Sequence, residues 1–281
     1  MDACFCVRIR SHVSSGFLEG VVMPRFDRLE LDPSQGMPDE GGRTKRMELE
    51  RDEHYWLRLA DSERRRGLYE NALRYYSRSL ELDKSQVTGW VGQVQMLIAL
   101  DEIVEAELWA RKALELFKNH GDLLAGRAQA LCRSKDRSQA AAVCDAALSQ
   151  PNVTAYRWQV RGEVMIVTRS PVDRYCFEKA MQLDSDWLVP LEIGQAYLYH
   201  GYPSKALGYA RQAVTKAADQ AFPWYFQGVC ERELGVCDAA VRSFRRVLEI
   251  VPNHADAQRQ LTELTYQGWS LTRTLRRLFR R

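Results

Sequence analysis

The side chains able to do chemistry are scattered along this 281-residue sequence. Cys4, Cys6 and His12 lie close together, but a structural zinc site takes four ligands, and its paired cysteines are usually separated by two or more residues. No metal site is expected there. Glu163, Asp173 and Glu178 offer carboxylates for acid–base work, although such residues on a charged helix surface are ordinarily solvated. Cys176 has Arg174 near it in sequence. Cys176 and Cys230 nevertheless sit within amphipathic helix patterns, where a small buried residue is the expected role. The five histidines, at 12, 54, 120, 200 and 254, fall among loops and helix ends. The sequence has no Gly-rich phosphate loop, paired-His metal motif or nucleophile elbow. A non-enzyme with no cofactor is the expectation.

Charge is concentrated at one end. Residues 268–281 hold Arg273, Arg276, Arg277, Arg280 and Arg281 and no acid, so the net charge of +3 becomes −2 for residues 1–267. Leu271, Leu275, Leu278 and Phe279 recur at helical spacing between these arginines, which predicts a basic amphipathic helix. Three uses are open for it: lying on an anionic membrane surface, contacting nucleic-acid phosphates, or extending the end of the fold while the arginines stay solvated.

The seven cysteines, at 4, 6, 132, 144, 176, 230 and 237, are odd in number and follow no disulfide framework, and no basic, apolar secretory leader opens the chain. A reduced, cytoplasmic setting is expected. The apolar stretches are far shorter than the roughly 20 residues of a membrane span. Residues 1–46 are expected to form a flexible extension and linker, with two prolines and three glycines between Asp32 and Arg46. Met23 would also serve as a start, which leaves open whether residues 1–22 are translated.

The positioning elements come from a repeat. Trp recurs at 56, 90, 158 and 224, and Ala at 72, 106, 140, 206 and 240, with neighbouring copies spaced by 34 residues or close to it. Trp56, Gly67, Ala72 and Tyr76 superimpose without a gap on Trp224, Gly235, Ala240 and Phe244. Large and small residues share one face of each of two helices, with Gly67, Gly201 and Gly235 at the turns between them. Each unit is then a helical hairpin that cannot bury its faces alone. This order of Trp, Gly, Tyr, Ala, Phe and Pro resembles the tetratricopeptide-repeat (TPR) family over about 215 residues. Six units begin near Glu53, Val87, Gly121, Thr154, Trp187 and Ala221, and a capping helix is expected over 255–266, so the repeat region is 47–267. The fourth unit departs from the pattern: it is one residue short, Pro171 interrupts its turn, and Asp173 stands where Ala is expected.

The resemblance implies an all-α, right-handed superhelical solenoid whose first helices line a concave groove that receives a protein or peptide segment. On the groove side the first three units present Leu57, Asp61, Arg64, Arg65, Val91, Gln95, Ile98, Ala125, Gln129 and Arg133. Asp61, Gln95 and Ala125 do not suit the carboxylate clamp that some members of the family use. Units four to six present Tyr156, Gln159, Leu188, Leu191, Gln195, Leu198, Tyr199, Phe222, Tyr225 and Phe226. Aromatic anchors of this kind are expected to bind a partner's apolar face, with Gln159, Glu163 and Gln195 orienting it. Three other fates stay open for the same side chains. They are burial between neighbouring first helices, occupation in cis by Phe17, Leu18, Phe26, Leu29 or Leu31, and self-association.

Overall fold

The computed structural model describes residues 52–134 and 136–265, which lie in one compact unit. The described residues are helices and short connections without a strand, an all-α helical repeat solenoid. In chain order the helices are α1 (Glu53–Arg65), α2 (Tyr69–Leu82), α3 (Val87–Ala99), α4 (Ile103–Leu116), α5 (Gly121–Arg133), α6 (Arg137–Leu148), α7 (Ala155–Val167), α8 (Asp173–Leu183), α9 (Leu188–Tyr199), α10 (Pro203–Lys216), α11 (Ala221–Glu233) and α12 (Cys237–Ile250). A further helix, α13, runs over 255–265. The extension before residue 52 and the arginine-rich segment after residue 265 lie outside the described residues.

Local chemistry sets the ends of these helices. Asp52, Asp136 and Thr154 accept from the backbone N–H three residues on and so cap α1, α6 and α7. Within hairpins the chain reverses through a residue of positive φ. It is Gly67, Gly201 or Gly235 in the first, fifth and sixth hairpins, as the sequence predicts, and Asp101 or Arg169 in the second and fourth.

Packing follows the small residues. Ala60, Ala72, Ala106, Ala140, Ala206 and Ala240 are fully buried. A Cβ at Gly194 would reach 2.7 Å from the Phe226 ring and one at Gly228 would reach 2.8 Å from Phe244. Small residues thus admit the rings of neighbouring helices, which fixes the hairpin spacing. Trp56 stacks on Tyr75 with ring centroids 5.7 Å apart, Trp90 packs against Trp109 at 5.9 Å, and Trp158 meets Tyr175 edge-on at 6.1 Å. Ala257, Leu261 and Leu264 of α13 cover Phe244 and Val247 of α12.

The irregular fourth unit keeps its place by polar means. Buried Asp173, at the first position of α8, accepts hydrogen bonds from the Tyr197 hydroxyl at 2.8 Å and from Lys205 Nζ at 2.9 Å. Burial works to raise its pKa, and the bonds from Lys205 and Tyr197 outweigh that and hold it below the ordinary value.

Candidate functional site

The first helices α1, α3, α5, α7, α9 and α11 line the inner side of the stack, and their polar residues meet one another across it. Glu163 on α7, only 1% exposed, accepts from Gln129 Nε2 at 2.7 Å and from Arg133 Nε at 2.8 Å, both on α5. His200 Nε2 lies 3.0 Å from the same carboxylate. The Tyr156 hydroxyl donates to Gln129 Oε1 at 2.8 Å, and Arg133 donates to the Ile98 carbonyl at 3.1 Å. The Arg133 guanidinium also lies over the Tyr199 ring, 4.2 Å from its centroid. Burial works to raise the Glu163 pKa, but Arg133 and His200 hold it well below the usual carboxylate range. The group is therefore a fixed anion engaged by donors on two neighbouring elements, and it has no proton to give at neutral pH.

A second set of contacts ties the first repeat to the fifth and sixth. Arg64 of α1 donates to Glu192 of α9, and its Nε lies 3.1 Å from Glu192 Oε1. Arg65 makes a forked pair with Asp186, at 2.7 and 3.1 Å, while its guanidinium lies 5.8 Å from the Trp187 ring centroid. Gln195 Nε2 donates to the Tyr69 hydroxyl at 2.6 Å. Tyr69 meets Phe222 of α11 edge-on at 6.0 Å, and the Phe222 ring fills the space that a Cβ on Gly67 would need. The stack curls until its beginning rests on its fifth and sixth repeats.

The ten residues expected to bind a partner are therefore mostly engaged within the chain. Leu191 is fully buried, and Phe222, Phe226 and Gln159 are buried as well. Phe222 lies against Gly67 and Tyr69 of the first hairpin, and Phe226 lies against Gly194 of α9. Tyr156, Leu188, Gln195, Leu198 and Tyr225 are half-buried, and Tyr199 alone of the ten is exposed. Leu188, Leu198 and Tyr225 pack against the same core as Leu191. Arg273, Arg276, Arg277, Arg280 and Arg281 lie outside the described residues.

The candidate chemical groups do not converge. Glu163 and Asp173 each have the partners described above, and Glu178 pairs with Arg174 at 2.8 Å on the surface of α8. Burial is the main influence on the Cys176 thiol and pushes its pKa up, away from the reactive thiolate. Among the described residues no group of three His, Cys, Asp or Glu side chains is placed to hold a metal ion. None of the described helices is long and apolar enough to cross a membrane. The sequence reading placed Arg64 and Arg65 on the inner side but did not find their acceptors, Glu192 and Asp186. The signal available was Asp186 directly before Trp187 and Glu192 five residues after it, at the position where the fifth unit starts.

A family model described as tetratricopeptide repeat matches residues 57–120 and 191–263. Among solved structures, a tetratricopeptide repeat protein from Parabacteroides merdae is 15% identical, with a TM-score of 0.47 over 79% of this chain and 88% of that one. A chain of the APC/C hetero-tetramer Cut9–Hcn1 is 15% identical, with a TM-score of 0.46 over 76% of this chain, and only 43% of that longer chain is spanned. YrrB, described as a TPR protein with an unusual peptide-binding site, is 18% identical, with a TM-score of 0.36 over 66% of this chain and 96% of its own. No curated protein matches the sequence.

Proposed function

Because this chain is a tetratricopeptide-repeat protein, we propose that it is a non-catalytic adaptor that holds a partner protein on the outward surfaces and edges of its hairpins. Its inner face serves as a closed core. The observation that carries this reading is the seating of the first hairpin on the fifth through Arg64–Glu192, Arg65–Asp186 and Tyr69–Gln195, and on α11 through Tyr69–Phe222. Those contacts occupy the face where a groove ligand would lie. Aromatic and guanidinium groups held rigidly in this way hold the hairpins in fixed order, which presents the outer residues with little left to organise on binding.

Charge reversal tests the reading directly. In the double variant Asp186→Arg, Glu192→Arg, the acceptors of Arg64 and Arg65 become cations and the inner face is pushed open. Affinity capture from lysate with the intact chain and with this variant is expected to return the same prey, after circular dichroism confirms equal helix content. Prey recovered only, or in clearly greater amount, with the opened variant would assign binding to the inner face and refute the outer-surface reading.

A further inference from the structure

The sixth hairpin lacks a ring that other hairpins have. Setting Trp224 in the register of Trp56 places Ser243 at the position of Tyr75 and Ala239 at that of Asn71, while Glu231 falls on Glu63. In the first hairpin Tyr75 stacks on Trp56, and Trp109 and Tyr175 cover the equivalent tryptophans of the second and fourth. Trp224 has no ring partner of this kind among the described residues. Its Nε1 donates to the Ala218 carbonyl at 2.9 Å, which holds the indole in place. Between α11 and α12 this leaves a cleft of ≈ 500 Å³ lined by Trp224, Gln227, Glu231, Ala239, Arg242, Ser243 and their neighbours Arg245, Arg246 and Glu249. That size falls within the range of small-ligand sites.

The floor and the rim of the cleft differ in charge. At the floor, buried Glu231 accepts from the Ser243 hydroxyl at 2.7 Å and from Gln227 Nε2 at 3.1 Å. At the rim Arg246 pairs with Glu249 at 2.7 Å, whereas Arg242 and Arg245 are exposed and have no ion-pair partner among the described residues. The equivalent positions of the first hairpin carry Arg74 and Ser77, so the additional cation is a property of the sixth.

We infer that this cleft is a docking site for an acidic peptide segment of a partner protein, whose aromatic side chain takes the place of the missing ring while its flanking carboxylates meet Arg242 and Arg245. The inference rests on the adaptor reading above and gives it one specific outer surface. Aromatic insertion restores the ring-on-indole contact that the first, second and fourth hairpins make internally, and tyrosine suits the floor because its hydroxyl has Glu231 and Gln227 as acceptors. The unpaired arginines select acidic over basic flanks and steer the approach.

The test uses the full chain and the acetylated, amidated peptide Glu-Glu-Tyr-Glu-Glu as probe, with titration calorimetry as the readout. The versions with Ala for Tyr and with Lys for Glu are the controls. Wild type is expected to bind the probe and neither control. Ser243→Tyr, which supplies the ring from within as the first hairpin does, and the surface double variant Arg242→Glu, Arg245→Glu are each expected to weaken binding at least about tenfold. The double variant touches only exposed side chains, so it keeps the test valid if Ser243→Tyr loses helix content. Absence of wild-type binding at millimolar probe overturns the inference, as does equal binding of the Ala control or unchanged affinity in either folded variant. None of these outcomes alters lysate capture by the Asp186→Arg, Glu192→Arg variant, so failure of the cleft and failure of the adaptor reading remain separable.

Discussion

The buried carboxylate of Glu163 gives the sharpest test of how the interior is held together. Its side chain is 1% exposed and that of Arg133 9%, so each is the other's main compensation for lost water. Replacing Glu163 with Gln keeps the volume but leaves Arg133 buried beside a neutral amide. Breaking a buried pair in this way costs about 3–5 kcal/mol. Removing both charges, in Glu163→Gln, Arg133→Met, removes the unpaired ion as well, and the double variant is expected to be more stable than Glu163→Gln alone. The coupling between the two positions should exceed about 2 kcal/mol. Urea unfolding followed by circular dichroism, on wild type and the three variants, reads this cycle. Losses that simply add would refute the argument, because they would mean that the two charges are solvated independently.

The same pair sets a direction in pH. The folded-state pKa of Glu163 is depressed from an ordinary value of 4.5. Its stabilising contribution is fully present above 4.5 and is lost as pH falls from there through the lower value it has in the folded chain. The stability gap between wild type and Glu163→Gln is therefore expected to narrow as pH falls below 4.5.

Two further measurements follow from the turns and the thiols. Gly67 and Gly235 both have φ near +75°, at +76° and +73°, but the Phe222 ring crowds Gly67 and nothing lies within 4 Å of a Cβ at Gly235. Gly235→Ala should cost about 1–2 kcal/mol from backbone strain alone. Gly67→Ala should cost at least about 1 kcal/mol more, because the ring must also move, and thermal unfolding compares the two. Burial pushes the Cys144 and Cys230 thiols up to about 12, and Cys132 and Cys176 are buried as well, while Cys237 is exposed. Brief alkylation of the native chain, mapped by mass spectrometry, should label Cys237 and spare Cys132, Cys144, Cys176 and Cys230.

What the sequence revealed were features repeated within one unit. The 34-residue recurrence of Ala, the Trp positions and the three turn glycines each act through contacts a few residues away, so spacing alone exposes them. Tyr69–Gln195 and Arg65–Asp186 depend instead on the accumulated rotation of four successive hairpins, to which each interface adds a small increment. No local pattern encodes that sum, so the burial of Leu191, Phe222 and Phe226 on a face that reads as an aromatic groove does not show in the spacing. Glu163 was misread for a related reason. Its own helix looks charged and solvated, and only the arrival of Arg133 from α5 and His200 from the end of α9 makes it interior. Asp173 likewise looked like a defect until Tyr197 and Lys205 met it. The slot beside Trp224 was legible in principle, since aligning the units exposes Ser243 where a ring belongs.

The seating of α1 on α9 changes how the stack comes apart. In a simple solenoid each terminal repeat has one neighbour, and the array loosens from its ends inward. Here the first hairpin has two neighbours, one beside it in sequence and one 121 to 128 residues away. Closing a segment of that length carries an entropy penalty that grows only logarithmically with the residues enclosed, so a few well-made contacts can sustain it. Among the described repeats the first is consequently held on two sides, and opening it means breaking both interfaces.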